Sequence, residues 1–136
     1  MKAAPPQACP CGRADAKARP VPFASCCGRY LADLAGTPAP DAEALMRSRY
    51  SAFVLQDAPY LLATWHPSHR PAELAFERGL RWLGLDVREH VQHDAAHAQV
   101  EFVARSRLGG RAQRLHERSR FVCEDGRWYY LDGDML

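Results

Sequence analysis

The order of periodicities along the chain predicts an α+β fold: helices packed on a curved four-stranded antiparallel sheet, with a small N-terminal metal knuckle. Three observations carry this. Apolar residues recur at helical spacing between Asp41 and Leu55, and from Arg81 onward the period changes to two. Ahead of both, Cys9-Pro10-Cys11 and Cys26-Cys27 place four thiols in two tight pairs.

Residues 1–30 are rich in Pro, Ala, Cys and Arg and show no sustained periodicity. Such a stretch buries little on its own and depends on a metal for order. The Cys-x-Cys spacing lets one tight turn present two sulfurs to a single ion. Pro10 fixes φ between them, and Gly12 is free to take the positive φ that such turns need. Zinc takes four thiolates at about 2.3 Å each, which predicts Cys9, Cys11, Cys26 and Cys27 as its ligands, with iron an open substitute. Four ionised sulfurs around the ion leave a net charge of about −2. Arg13, Lys17, Arg19 and Arg29 are close enough in sequence to offset part of it.

Two other uses of these thiols stay open. Adjacent cysteines bridge poorly, their Cα atoms being about 3.8 Å apart, but cross-pairing of Cys9 and Cys11 with Cys26 and Cys27 is geometrically possible. It requires an oxidising compartment, and Met1–Pro6 lacks the apolar run of a secretory signal. Redox use requires an accessible thiol of low pKa. Cys123 stands apart in a strand pattern and reads as a small core residue.

Gly36, Pro38 and Pro40 mark residues 33–40 as a linker or turn, which divides the chain into a metal segment at 1–35 and a roll at 36–136. Asp41 is the expected N-cap of a helix reaching Leu55, with Leu45, Met46, Arg49, Tyr50 and Phe53 on one face and Glu43 and Arg47 opposite. A shorter helix is expected over about 59–64, stopped by Trp65-His66-Pro67, and a third over 72–78. Four strands follow, with Gly109-Gly110 and Asp125-Gly126 as two-residue hairpin turns.

Those turns fix a register. Leu108 opposite Arg111 puts Ala104 opposite Leu115, Phe102 opposite Glu117 and Val100 opposite Ser119; Cys123 opposite Trp128 puts Phe121 opposite Tyr130 and Ser119 opposite Asp132. With Val91 opposite Ala98, Glu89 faces Val100. The inner face then carries a polar row of Glu89, Glu117, Ser119 and Asp132. Buried carboxylates need partners, and Arg49, the odd member of the helical stripe, is the expected one, paired with Glu117 or Glu89. The cluster reads either as self-satisfying structure around a wet cavity or as a proton-transfer site with Tyr50, Tyr60 or His66 at hand. Trp128 and Tyr130 read as core anchors, and the six histidines as solvated or turn residues without ligand spacing.

Composition narrows the function classes. A net charge of +2 argues against a dominant nucleic-acid footprint, and no apolar run approaches membrane-spanning length. Residues 1–40 hold five Lys/Arg against two Asp, a weak basic patch best read as thiolate compensation and solubility. The chain is expected in the cytoplasm, with no membrane partner.

Cys9-Pro10-Cys11-Gly12 with Cys26-Cys27-Gly28 resembles the SEC-C zinc motif, found at the C-terminus of the SecA translocation ATPase and in many bacterial proteins. The segments Ala44-Leu45-Met46-Arg47-Ser48-Arg49-Tyr50-Ser51-Ala52-Phe53, Thr64-Trp65-His66-Pro67, Trp82-Leu83-Gly84-Leu85, Glu117-Arg118-Ser119-Arg120-Phe121 and Trp128-Tyr129-Tyr130-Leu131-Asp132-Gly133 closely resemble the bacterial YchJ family. The resemblance covers nearly the whole chain. It implies a zinc-type segment on a nuclear transport factor two-like (NTF2-like) domain, a cone-shaped α+β roll, and brings no established activity. Gly12 is followed by Arg13-Ala14 where the motif usually runs Gly-Ser-Gly, and the loop to Ser25 is longer than usual, which leaves the ligands intact. The expectation is a zinc-binding adaptor or binding module with a protein or ribosome-associated partner. The alternative is a small-molecule enzyme of isomerase or dehydratase type using the roll's cavity, and the third reading is a redox thiol protein.

Overall fold

A computed structural model describes residues 7–136; Met1–Pro6, weighed above for a signal, lies outside them. Three helices, α1 (Cys27–Ala32), α2 (Ala42–Leu55) and α3 (Ala58–Ala63), precede four strands, β1 (Arg81–Gln92), β2 (His97–Leu108), β3 (Arg111–Glu124) and β4 (Arg127–Met135). The strands form one antiparallel sheet in the order β1-β2-β3-β4, and α2 packs against β1, β2 and β4. This is the α+β roll that the sequence predicts.

Local chemistry sets the helix ends. Asp41 Oδ1 accepts from the Ala44 amide at 2.7 Å, and Gln56 closes α2 in the left-handed region at φ 56°. Asp57 caps α3 through the Tyr60 amide at 3.2 Å, one residue ahead of the expected start. The helix expected over 72–78 does not form. Leu74 and Phe76, two residues apart, both turn inward, and Phe76 meets Phe53 edge-on at 6.3 Å. So short a helix gains little by itself, whereas an extended run lets both apolar side chains reach the core. The short α1 falls in a stretch whose sequence shows no helical period.

Both hairpin turns are as expected. Gly109 and Gly110 have φ of 58° and 78°, Asp125 and Gly126 of 52° and 77°, the double left-handed pattern of a two-residue turn that follows the twist of the strands. The β2–β3 register is the one expected, with Phe102 opposite Glu117 and Val100 opposite Ser119. The flanking pairings differ because irregularities interrupt them at Val87/Glu89 and at Arg120/Phe121. Val91 opposes Gln99 and Glu89 opposes Glu101, so Glu89 leaves the inner face and is exposed. In β4 the extra residue is Leu131: Asp132 opposes Arg120 and Gly133 takes the place opposite Ser119. One inserted residue reverses the side-chain parity of everything beyond it.

The cysteine segment folds back on itself through bridges Ala8–Pro22 and Ala14–Pro20, then a 3-10 turn at Phe23–Ser25 leads into α1. All four of its cysteines are buried in one continuous core with Leu45, Met46 and Tyr50 of α2. The segment is thus seated on the roll.

Candidate metal centre and cavity

The four sulfurs of Cys9, Cys11, Cys26 and Cys27 lie within 4.8 Å of one another, and all four residues are buried. None is in a disulfide, and Cys11 Sγ lies 3.6 Å from Cys26 Sγ. Four sulfurs placed tetrahedrally at zinc bond lengths are about 3.8 Å apart, so this donor set fits a closed tetrathiolate ion. The two pairs arrive on different supports. Cys9 and Cys11 sit on a turn closed by the Gly12 amide on Cys9 O at 3.1 Å, with Gly12 at φ 77°. Cys26 and Cys27 stand at the start of α1.

Burial, then the charges and hydrogen bonds of Cys11 and Cys9, push the Cys26 thiol up to about 12. Hydrogen bonding with Cys11 and Cys9, with burial behind it, also raises Cys27, while hydrogen bonds from Cys11 and Cys27 hold Cys9 below the usual thiol range. Cys26 and Cys27 thus hold protons that a cation would displace.

Two of the expected charge compensators are engaged elsewhere: Arg13 pairs with Glu43 at 3.3 Å and Arg19 with Asp15 at 3.1 Å. Arg29 donates to Cys26 O at 3.0 Å and to Tyr30 Oη at 2.9 Å. The cation that reaches a sulfur is Arg47 of α2. Its Nη1 donates to Cys11 O at 3.0 Å and lies 4.0 Å from Cys11 Sγ, while Nε pairs with Glu43 at 2.9 Å. Ser51, one turn further along α2, is buried with its Oγ 3.6 Å from Cys9 Sγ. Sequence reasoning missed both. The i, i+4 spacing of Arg47 and Ser51 was visible, but nothing local says that the cysteine segment covers that side of the helix.

The polar row of the sheet comes apart. Glu117 and Ser119 face a cavity of about 280 Å³ between α2 and the sheet, together with Arg49 and Tyr130. Ser119 Oγ donates to Glu117 Oε2, and Tyr130 Oη donates to the same oxygen at 3.4 Å. Glu89 is outside, and Asp132 lies beyond the cavity wall, bonded to Arg120 Nε at 2.5 Å. A Cβ at Gly133 beside it would fall 2.5 Å from Glu117 Oε2, so any larger residue there has to displace the Glu117 side chain. Glu117 is therefore the one carboxylate among the residues lining the cavity, and a two-carboxylate scheme lacks its second member.

Neither expected ion pair of Arg49 forms. Its Nη1 donates to Leu61 O and to Thr64 Oγ1, both at 2.7 Å, and its guanidinium lies 4.7 Å from the centroid of Tyr130 and 5.3 Å from that of Trp65. Burial pulls it down to about 10, still charged at neutral pH. Of the other proton-transfer candidates, Tyr50 lines the cavity. Tyr60 is bonded to Ser48 at 2.6 Å, and His66 to Glu124 at 2.8 Å outside it.

Comparisons with known proteins agree with this geometry. The family model described as YchJ, middle NTF2-like domain, matches residues 41–133. A UPF0225 protein of Polaromonas sp. (strain JS666) is 66% identical over 131 residues, covering 96% of this chain and 94% of that one. A UPF0225 protein of Bordetella parapertussis is 56% identical with the same coverage. Among solved structures, a SEC-C motif containing protein from Rhodopseudomonas palustris superposes with a TM-score of 0.79 at 34% identity, over 96% of this chain and 99% of the other. A sec-c motif containing protein from Psychrobacter arcticus does so with 0.78 at 34% identity, over 93% and 81%.

Proposed function

The chain belongs to the YchJ (UPF0225) family, with SEC-C and NTF2-like parts, and from that premise we propose a zinc-stabilised binding module that acts as an adaptor for a protein or ribosome-associated partner. The observation that carries the metal is the convergence of four buried, unbonded sulfurs within 4.8 Å. Tetrathiolate zinc has no open coordination position, so its role here is to hold structure. Zinc supplies the cross-link, Arg47 the nearest compensating charge, and α2 the seat. Unbonded thiols accord with a reducing compartment, which supports placing the protein in the cytoplasm. No helix among the described residues is long and apolar enough to cross a membrane.

The test is metal analysis of the full chain purified from its native cell, joined to alkylation of the native protein. One zinc per chain with Cys9, Cys11, Cys26 and Cys27 protected is expected. No bound metal with all four alkylated, or cross-paired disulfides, would overturn it. For the adaptor role, the chain is expected to co-sediment with ribosomes or co-purify with one protein in stoichiometric amount, and to lose that partner on chelation. An unchanged partner after complete zinc removal argues that the knuckle does not organise the recognising surface.

A further inference from the structure

Arg49 is a buried cation in no salt bridge among the described residues. The residue is 6% exposed, and no carboxylate lies within ion-pair distance of it among the described residues. Nη1 is committed to Leu61 O and Thr64 Oγ1, whereas Nε and Nη2 donate to no acceptor among those residues. Leaving a buried charge so thinly satisfied is costly, and the ring faces of Trp65 and Tyr130 offset part of the cost.

The unused donors belong to a side chain that lines the cavity of about 280 Å³, just below the usual range of small-molecule pockets of about 300–1,000 Å³ and so suited to a small ligand. The remaining walls are chiefly apolar and aromatic, including Tyr50, Phe53, Trp82 and Phe121. Glu117 stands at the hydroxyl end of the Tyr130 ring whose face carries Arg49. Its Oε2 receives Ser119 and Tyr130, and its Oε1 receives no donor among the described residues. Two unmet polar functions, a positively charged donor fork and a carboxylate acceptor, thus face one apolar chamber across a single tyrosine.

We propose, independently of the metal, that this cavity binds a small ring-bearing carboxylate that also carries a hydroxyl, its carboxylate meeting Arg49 and its hydroxyl meeting Glu117. A planar carboxylate matches the guanidinium fork, and a charge-assisted pair in so apolar a chamber is stronger than in water. The hydroxyl follows from Glu117: an acid without a donor would meet that second negative charge unrelieved. The ring body fills the space between the aromatic walls.

The test uses para-hydroxyphenylpropionate as probe, with phenylpropionate and the amide of the hydroxy acid as controls. Binding is read by calorimetry and by tryptophan fluorescence, since Trp65 and Trp82 line the cavity. The full chain is used with its metal content measured, so that absence of zinc and absence of ligand binding are separate results. Saturable sub-millimolar binding of the hydroxy acid is expected, with either control and Arg49→Met weaker by about tenfold or more. Leu115→Trp fills the cavity while leaving Arg49 in place, and is expected to abolish binding even if Arg49→Met does not fold. Equal binding of acid and amide, undiminished binding by Leu115→Trp, or no saturation in the millimolar range would overturn the proposal and leave the cavity as solvated interior.

Discussion

The cysteine knuckle and the polar inner face of the sheet are both clusters of chemistry-bearing side chains in the sequence, yet in the fold the four sulfurs converge while the polar row divides. The knuckle's four sulfurs converge because each pair is set by its own turn or helix start, within three residues. The polar row was assembled by counting in twos along three strands, and that count fails at the first inserted residue. Two irregularities, at Val87/Glu89 and Arg120/Phe121, remove Glu89 and Asp132 from the row. Glu117 and Ser119 stay because the β2–β3 ladder that places them is unbroken. Sites built from short-range geometry survive a sequence reading; sites built from long-range register do so only where the ladder is continuous.

The largest test strikes the knuckle. Structural zinc in small tetrathiolate sites carries about 10–16 kcal/mol of binding free energy, nearly all of it coupled to folding. Chelation, or Cys11→Ser at the fully buried ligand, is therefore expected to unfold residues 7–32 and to lower the thermal midpoint sharply. Thermal melts with and without chelator check this, and superimposable curves for a zinc-loaded and a stripped sample would sink the structural role.

Next in size is Arg47. Arg47→Gln removes the cation nearest Cys11 and is expected to weaken zinc about 10–100-fold, the range typical of a group supporting a ligand. Competition with a chromophoric chelator measures it, and Arg19→Gln, whose side chain pairs with Asp15, should leave affinity unchanged.

The pH dependence has a definite sign. With Cys26 held up at about 12, loading an ion expels its proton throughout the neutral range, so zinc affinity rises with pH and falls in acid. Zinc competition at two pH values measures the slope, and an affinity that does not change with pH would contradict it.

On the sheet the effects shrink. Gly133→Ala drives a methyl into Glu117 and is expected to cost about 1–3 kcal/mol, read by urea unfolding. Asp132→Asn loses a half-exposed pair with Arg120, on the order of 0.5 kcal/mol. Glu89→Gln is expected within about 0.5 kcal/mol of the unaltered chain. A large cost for Glu89→Gln would restore the undivided row.

The same division between local and distant causes runs through the rest of the fold. Asp41 as a cap, Leu55 as an end, and the turns Gly109-Gly110 and Asp125-Gly126 were legible because one or two residues decide them. Residues 72–78 misled because helix propensity is local, while the inward pull on Leu74 and Phe76 comes from Phe53 and the core. The six-residue α1 was invisible, its place set by packing beside the cysteines. Arg49 stands out in the helical stripe by its charge, but its partners, the Leu61 carbonyl, Thr64 and two ring faces, carry no charge pattern to find.

Arg47, which reaches Cys11, and Arg49, which enters the cavity, are separated by one residue on the same helix. An α-helix turns about 100° per residue, so this two-residue step is what points the pair to opposite flanks. Adding or deleting a single residue at Ser48 would swing one arginine out of line whichever the other kept. The helix is thus a fixed ruler between the chain's two chemistries, and its length is set by both of them at once.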